Sequence, residues 1–232
     1  MKKLLVLVVA AFLASPVWAL TYMGPPTSNI KQGETLLGFD FSSGETDVEW
    51  SGYGGKGTLE DVETDLYLGK AGLGISNGFE LFGRFGISEI EDLGNEFAWG
   101  VGTKATFGRF EDWSWGALFQ ITAMRADDSE NIVGFMLNGD VEIYEFQVAV
   151  GPSYNVGGLC FYGGPFFHFI DGELDLEFLG LTASYDIEQK SEFGGYGGLA
   201  WNIDESTSVA VEYQATGDAD VIALGLVHRF GI

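Results

Sequence analysis

From about residue 34 onward, apolar and polar residues alternate with a period of two, and helical spacing is hard to find. The stretch "NGFELFGRFGIS" (77–88) shows the pattern. Phe79, Leu81, Gly83, Phe85 and Ile87 fall on one side, and Glu80, Phe82, Arg84, Gly86 and Ser88 on the other. Successive side chains of a strand point to opposite faces, so this reads as a strand entered by a turn. The same alternation predicts ten strands, at roughly 34–42, 62–75, 79–88, 96–107, 113–125, 141–154, 159–171, 191–203, 207–215 and 220–230. No linker or composition shift divides them. The expected fold class is all-β, one domain of about ten antiparallel strands, with eight as the main alternative.

Sorting each strand by parity keeps one face apolar. It carries Phe97, Trp99 and Val101 on the fourth strand, Trp113, Trp115 and Phe119 on the fifth, and Tyr144, Phe146 and Val148 on the sixth. Its aromatics gather toward strand ends, as at the two interfaces of a membrane. The other face holds Lys70, Glu80, Arg84, Glu96, Lys104, Gln120, Glu145, Gln147, His168, Glu212, Gln214 and Arg229, mixed with glycines. An apolar face this continuous is too large to leave in water. Lipid is the better solvent for it, and the charged face must then line the inside of a closed barrel.

The second hairpin allows a register test. A loop at 76–78 sets Ile75 opposite Phe79, Gly74 opposite Glu80, Gly72 opposite Phe82 and Gly69 opposite Phe85. Lys70 and Arg84 then face each other, which requires a carboxylate between them; Glu145 and Glu212 are candidates. Pro152 and Pro165 fall inside strands, where a missing N–H predicts bulges.

Connections alternate in length. Those at 76–78, 108–112, 155–158 and 204–207 are short, whereas those at 43–61, 89–95, 126–140 and 172–190 are long, with a shorter one on the same side at 216–219. Short turns on the periplasmic side and long loops outside are the layout of outer-membrane barrels. Acids crowd the long connections: Glu45, Asp47, Glu49, Glu60, Asp61, Glu89, Glu91, Asp92, Asp127, Asp128, Glu130 and Asp140, then Asp171, Glu173, Asp175, Glu177, Asp186, Glu188, Asp218 and Asp220. Only Lys56, Arg125 and Lys190 oppose them, so a strongly negative outer rim is expected.

The first nineteen residues have a basic start (Lys2, Lys3), a short apolar run and a small-residue exit at Ala19, the three parts of a secretory signal. Cleavage is expected after Ala19, leaving residues 20–33 as a periplasmic N-terminal arm and 34–232 as the barrel. Loss of Lys2 and Lys3 would take the formal charge from -23 to -25. So acidic a chain does not seek nucleic acid or anionic lipid by electrostatics. Cys160 is the lone cysteine, which excludes an internal disulfide.

The C-terminal "VIALGLVHRFGI" follows the same alternation, with Ile222, Leu224, Leu226, His228 and Phe230 on one face. Together with the signal and the strands, it resembles Gram-negative outer-membrane β-barrel proteins of the small, monomeric kind. Those five residues are similar to that family's C-terminal assembly signal, although Gly231 and Ile232 follow the aromatic here. The resemblance implies the outer membrane as location, and lipid, lipopolysaccharide and the outer-membrane assembly machinery as partners.

Some members of that class are proteases or lipid hydrolases. His168, in "FFHFIDG", is the one candidate base, and no serine is placed beside it as in a deacylase motif. A lumen histidine in a polar network is the plainer reading, and His228 is expected to face outward. The glycines of "GGYGG" (194–198) lack the helix and lysine of a phosphate loop. The acidic loops could attract divalent cations, with no recognised calcium spacing among them. Neither a cofactor nor a defined metal site is expected. Ten strands lined by bulky residues should be largely filled. The leading expectation is a non-enzymatic envelope protein, structural or adhesive, with a largely plugged lumen. A narrow cation-favouring channel and an outer-membrane hydrolase are the alternatives.

Overall fold

The computed structural model describes residues 20–52, 55–90, 94–132, 135–178, 181–188 and 192–231. The proposed signal sequence at 1–19 lies outside them. Eleven strand segments form one antiparallel sheet: β1 (Thr35–Gly52), β2 (Gly55–Ser76), β3 (Phe79–Ile90), β4 (Gly94–Phe110), β5 (Trp113–Ile132), β6 (Phe135–Val156), β7 (Leu159–Phe178), β8 (Leu181–Glu188), β9 (Phe193–Asn202), β10 (Thr207–Ala215) and β11 (Ala219–Phe230). Each pairs with its neighbour, and β11 pairs back onto β1 from Thr35↔Phe230 to Thr46↔Ala219. The wall is therefore closed. Segments β8 and β9 pair successive lengths of β7, so together they make one staggered strand, and the barrel has ten.

Alternation decides which face is which. Phe85, Phe97, Phe107 and Phe110 are 59–72% exposed and Leu81, Trp99 and Val101 on the same parity 44–51%, whereas Lys70, Glu80, Arg84 and Lys104 are at most 6% exposed. Bulky apolar groups outside and charges inside are the reverse of a water-soluble barrel, and the continuous apolar belt identifies a lipid-facing wall. Below the belt lie short turns, including Gly78 and Gly158 at φ +80° and +85°, which glycine adopts freely.

The structure corrects the long connections. Most of 43–61, 126–140 and 172–190 is not irregular loop but strand continued beyond the belt. A transmembrane strand needs about 9–11 residues, yet β2 and β6 have 22 each. The period of two persists in them, as where Leu174, Leu176 and Phe178 interleave with Glu173, Asp175 and Glu177, but their density of acids resembles that of a solvated loop. Above the short β10–β11 hairpin, β1 pairs with β8 instead, through Glu49↔Glu188 to Ser51↔Asp186.

Register is as expected for Gly69↔Phe85, Lys70↔Arg84, Gly72↔Phe82 and Gly74↔Glu80. The final pair differs: an irregularity after Gly74 sets Ser76, not Ile75, opposite Phe79. The bulges expected at Pro152 and Pro165 are absent. The β6–β7 ladder is interrupted between Ala149↔Phe166 and Ser153↔Tyr162 but resumes in the same register. Glycine lets the two backbones close up there, since a Cβ on Gly151 would lie 1.9 Å from the carbonyl oxygen of Gly163.

Candidate functional site in the barrel lumen

Of residues 20–33, expected as a periplasmic arm, those from 20 to 30 run inside the barrel, and Lys31 and Gln32 are exposed at its mouth. The arm leaves β1 at its periplasmic end and passes through the lumen, where Leu20, Thr21, Tyr22, Met23 and Ile30 are 0–4% exposed. Leu20 and Met23 join an apolar cluster with Leu118, Tyr162, Phe166, Tyr196 and Val221 from the wall. The lumen is thus partly apolar, and not wholly polar as the charged face suggested. Glycines make the room: a Cβ on Gly116 would meet the carbonyl oxygen of Pro26 at 2.5 Å, and one on Gly225 the Tyr22 ring at 2.5 Å.

An extended segment without a strand neighbour has backbone groups to satisfy, and burying them unpaired is costly. Side chains of the wall do this. Glu212 on β10 accepts hydrogen bonds from the Met23 and Gly24 amides at 2.9 and 2.8 Å. Gly24, at φ +71°, turns the backbone so that both amides reach that carboxylate. Glu145 on β6 accepts from the Thr21 amide at 3.1 Å and from its hydroxyl, and Ser42 accepts from the Tyr22 amide at 2.9 Å. Lys104 on β4 donates to the carbonyls of Met23 and Pro25 at 2.7 and 2.9 Å. Gln214 and Gln120 donate to Thr21, at 3.1 and 3.4 Å. Lower down, the Ser28 hydroxyl donates to Glu80 at 2.9 Å, and Thr106 exchanges two bonds with Ser28.

The cations opposite each other across β2 and β3 are resolved differently from expectation. Arg84 pairs with Asp40 of β1 at 2.6 Å and donates to Gln120 at 2.6 Å. Lys70 pairs with Glu80 at 3.0 Å. The Phe82 ring lies under both cations, 4.1 Å from Lys70 and 4.8 Å from Arg84, a cation–π sandwich that softens their proximity. Glu145 and Glu212 are not the mediating carboxylates, because the arm occupies them. Asp40 was overlooked, although the alternation of "GFDFS" puts it on the Gly38 and Ser42 side.

His168 is fully buried, with Nε2 3.2 Å from Glu145. Gln147 bridges Gln120 and Gln214. The structure therefore draws Lys70, Glu80, Arg84, Lys104, Glu145, Gln147, His168 and Glu212 around the arm. Arg229 stands apart, half-buried at the periplasmic mouth. On β11, Ile222, Leu224, Leu226, His228 and Phe230 all point outward, and His228 meets Thr207 at 2.9 Å and the Phe230 ring at 4.5 Å.

At the outer rim, Glu45 sits directly across from both Glu63 and Asp220, and Asp65 from Glu89. Glu173 is similarly flanked by Glu142 and Asp186. The side chains of Glu60, Asp61, Glu91, Asp92, Asp127, Asp128, Glu130, Asp140, Glu177, Glu188 and Lys190 lie outside the described part. Among the described residues, no group of three His, Cys, Asp or Glu could hold a metal ion.

No family model matches the chain, and no curated protein does. Solved structures do. The outer membrane protease OmpT from Escherichia coli superposes with a TM-score of 0.52 at 8% identity, covering 88% of this chain and 98% of that one. The translocator domain of the autotransporter NalP from Neisseria meningitidis gives 0.48 at 11% identity, over 88% and 90%. Ail, the attachment invasion locus protein of Yersinia pestis, gives 0.40 at 15%, over 86% and 99%. At these identities only the fold is shared. With its closed antiparallel wall, lipid-facing belt and short lower turns, the chain has the fold of a ten-stranded outer-membrane β-barrel.

Proposed function

We propose that the protein is a non-enzymatic envelope barrel, sealed by its own N-terminal arm, that acts through the acidic strand extensions above the membrane as an interaction or adhesion surface. The observation that carries this reading is the arm itself. Its backbone is hydrogen-bonded from several sides by buried wall residues, leaving little lumen beside it. The fully buried His168, engaged with Glu145, supports the absence of hydrolytic chemistry. The rows of carboxylates would recruit divalent cations, which could bridge them to lipopolysaccharide phosphates.

A narrow cation-favouring channel is the second reading. It is favoured by the polar wall that the arm covers, which would line a bore if the arm withdrew. Planar-bilayer recording separates the two. The sealed reading expects no steady conductance from the wild type and cation-favouring conductance after deletion of residues 20–29. Steady wild-type conductance would overturn it in favour of the channel.

A further inference from the structure

One space in the barrel is filled by neither arm nor wall. It lies at the periplasmic end between the arm and the β7–β11 side, with a volume of about 80 Å³. It exists because the wall there is built from small inward residues, Ala200, Ser208, Ala210 and Gly225. Asn155 and Asn202 stand in its lining, and Lys70, Lys104, Glu80 and Arg229 supply its charge.

The charge balance is the reverse of the molecule's. The whole chain carries -23, yet this lining holds three cations and one carboxylate. That carboxylate, Glu80, is already paired with Lys70 at 3.0 Å. Lys104 donates to the carbonyls of Met23 and Pro25 and forms no salt bridge among the described residues, with Glu80 opposite it across β3 and β4 already held by Lys70. Arg229 forms no ion pair among the described residues. Asp204, on the turn before β10, is committed to the Ser206 and Thr207 amides at 2.7 Å each. Two cations and two amide side chains thus converge on a space open to one side of the membrane. A low-dielectric wall strengthens the field of such charges.

We infer that this vestibule is a binding site for a small oxyanion, a solute bearing a carboxylate or phosphate group that enters from the periplasm. Arg229 meets it at the mouth and Lys104 at the inner end, with Asn155 and Asn202 donating from the side. The acidic outer surface repels such a solute, so the site is one-sided.

Cys160 lines the same space and is the protein's single thiol, which makes it the reporter. In detergent at low ionic strength, a negatively charged methanethiosulfonate should modify Cys160 about tenfold faster than a positively charged one. Arg229→Gln, at a half-buried position, should keep the fold and bring the ratio to one or below. Inorganic phosphate and acetate, tested separately, identify the group preferred by which one slows the anionic reagent. The inference is overturned if the cationic reagent is as fast in the wild type, if Arg229→Gln leaves the ratio unchanged, if neither anion protects, or if neither reagent reaches Cys160. Cys160→Ala, which should take no label, confirms the site of modification.

Discussion

Arg84 and Asp40 meet at 2.6 Å although a whole strand, β2, separates the strands that carry them. Both are 1% exposed, so the pair is screened by neither water nor salt. The curvature of a closed wall makes this contact, since inward side chains two strands apart converge.

Removing one partner leaves a buried, uncompensated charge. Asp40→Ala should therefore lose about 3–5 kcal/mol of stability, read as a lower urea midpoint for the barrel in vesicles. The double variant Asp40→Leu/Arg84→Met should recover most of it, because an apolar pair has no charge to strand. A double variant no better than the single one would show that the pair is not energetically coupled.

Glu212 should hold the arm more firmly than any other wall residue. Hydrogen bonds to charged groups contribute about 1.5–3 kcal/mol each, and Glu212 accepts two from consecutive amides. In Glu212→Ala, the Met23 and Gly24 amides should lose hydrogen-exchange protection by at least about tenfold while the β-ladder amides keep theirs. Equal loss throughout would mean that the wall, and not the arm, had yielded.

Two glycines give a matched comparison. A methyl at Gly116 would press on the Pro26 carbonyl at 2.5 Å, whereas one at Gly195 meets nothing within 4 Å. Gly116→Ala should displace the arm and expose it to protease from the periplasmic side, at a cost of about 1–3 kcal/mol. Gly195→Ala should leave both stability and protection unchanged. Resistance of the Gly116→Ala arm to protease would contradict the seating described.

Asp204 gives a pH prediction outside the membrane. Hydrogen bonds from the Ser206 and Thr207 amides favour its ionised form and hold its carboxyl below the ordinary value. Its contribution to the β9–β10 turn is then present above the unfolded-state value and fades as pH falls through the lowered one. The Ser206 and Thr207 amide shifts should titrate with a midpoint below that of an unstructured aspartate. A midpoint at or above that value would exclude the bonds in solution.

The wall was legible in the sequence because lipid enforces one rule on every strand, bulky apolar groups outward. Phe85 and Arg84 could therefore be assigned opposite sides from their parity alone. The lumen was legible only as a list of inward residues. Who meets whom depends on barrel curvature, which brings Asp40 to Arg84 across an intervening strand and has no signature in local spacing. The arm was hidden for another reason: "LTYMGPPTSNIKQG" has no periodicity, so nothing in it announces a buried segment. Its partners Glu145 and Glu212 were visible as lumen acids, but the juxtaposed Lys70 and Arg84 gave them a different apparent task. The outer extensions were missed because their density of acids resembles a solvated loop, although Leu174, Leu176 and Phe178 keep the period of two.

The pairing of β1 with both β11 and β8 also bears on how fast the molecule can form. Every other neighbouring pair in the wall is made between segments close along the chain. β1 alone finds its second edge in partners at the far end, with Thr35 beside Phe230 and Glu49 beside Glu188. Contacts of such sequence separation are slow to nucleate because the intervening chain must first be ordered. Ring closure at β1 should then be the final and rate-limiting event, and the arm just before it must already lie inside when the circle shuts.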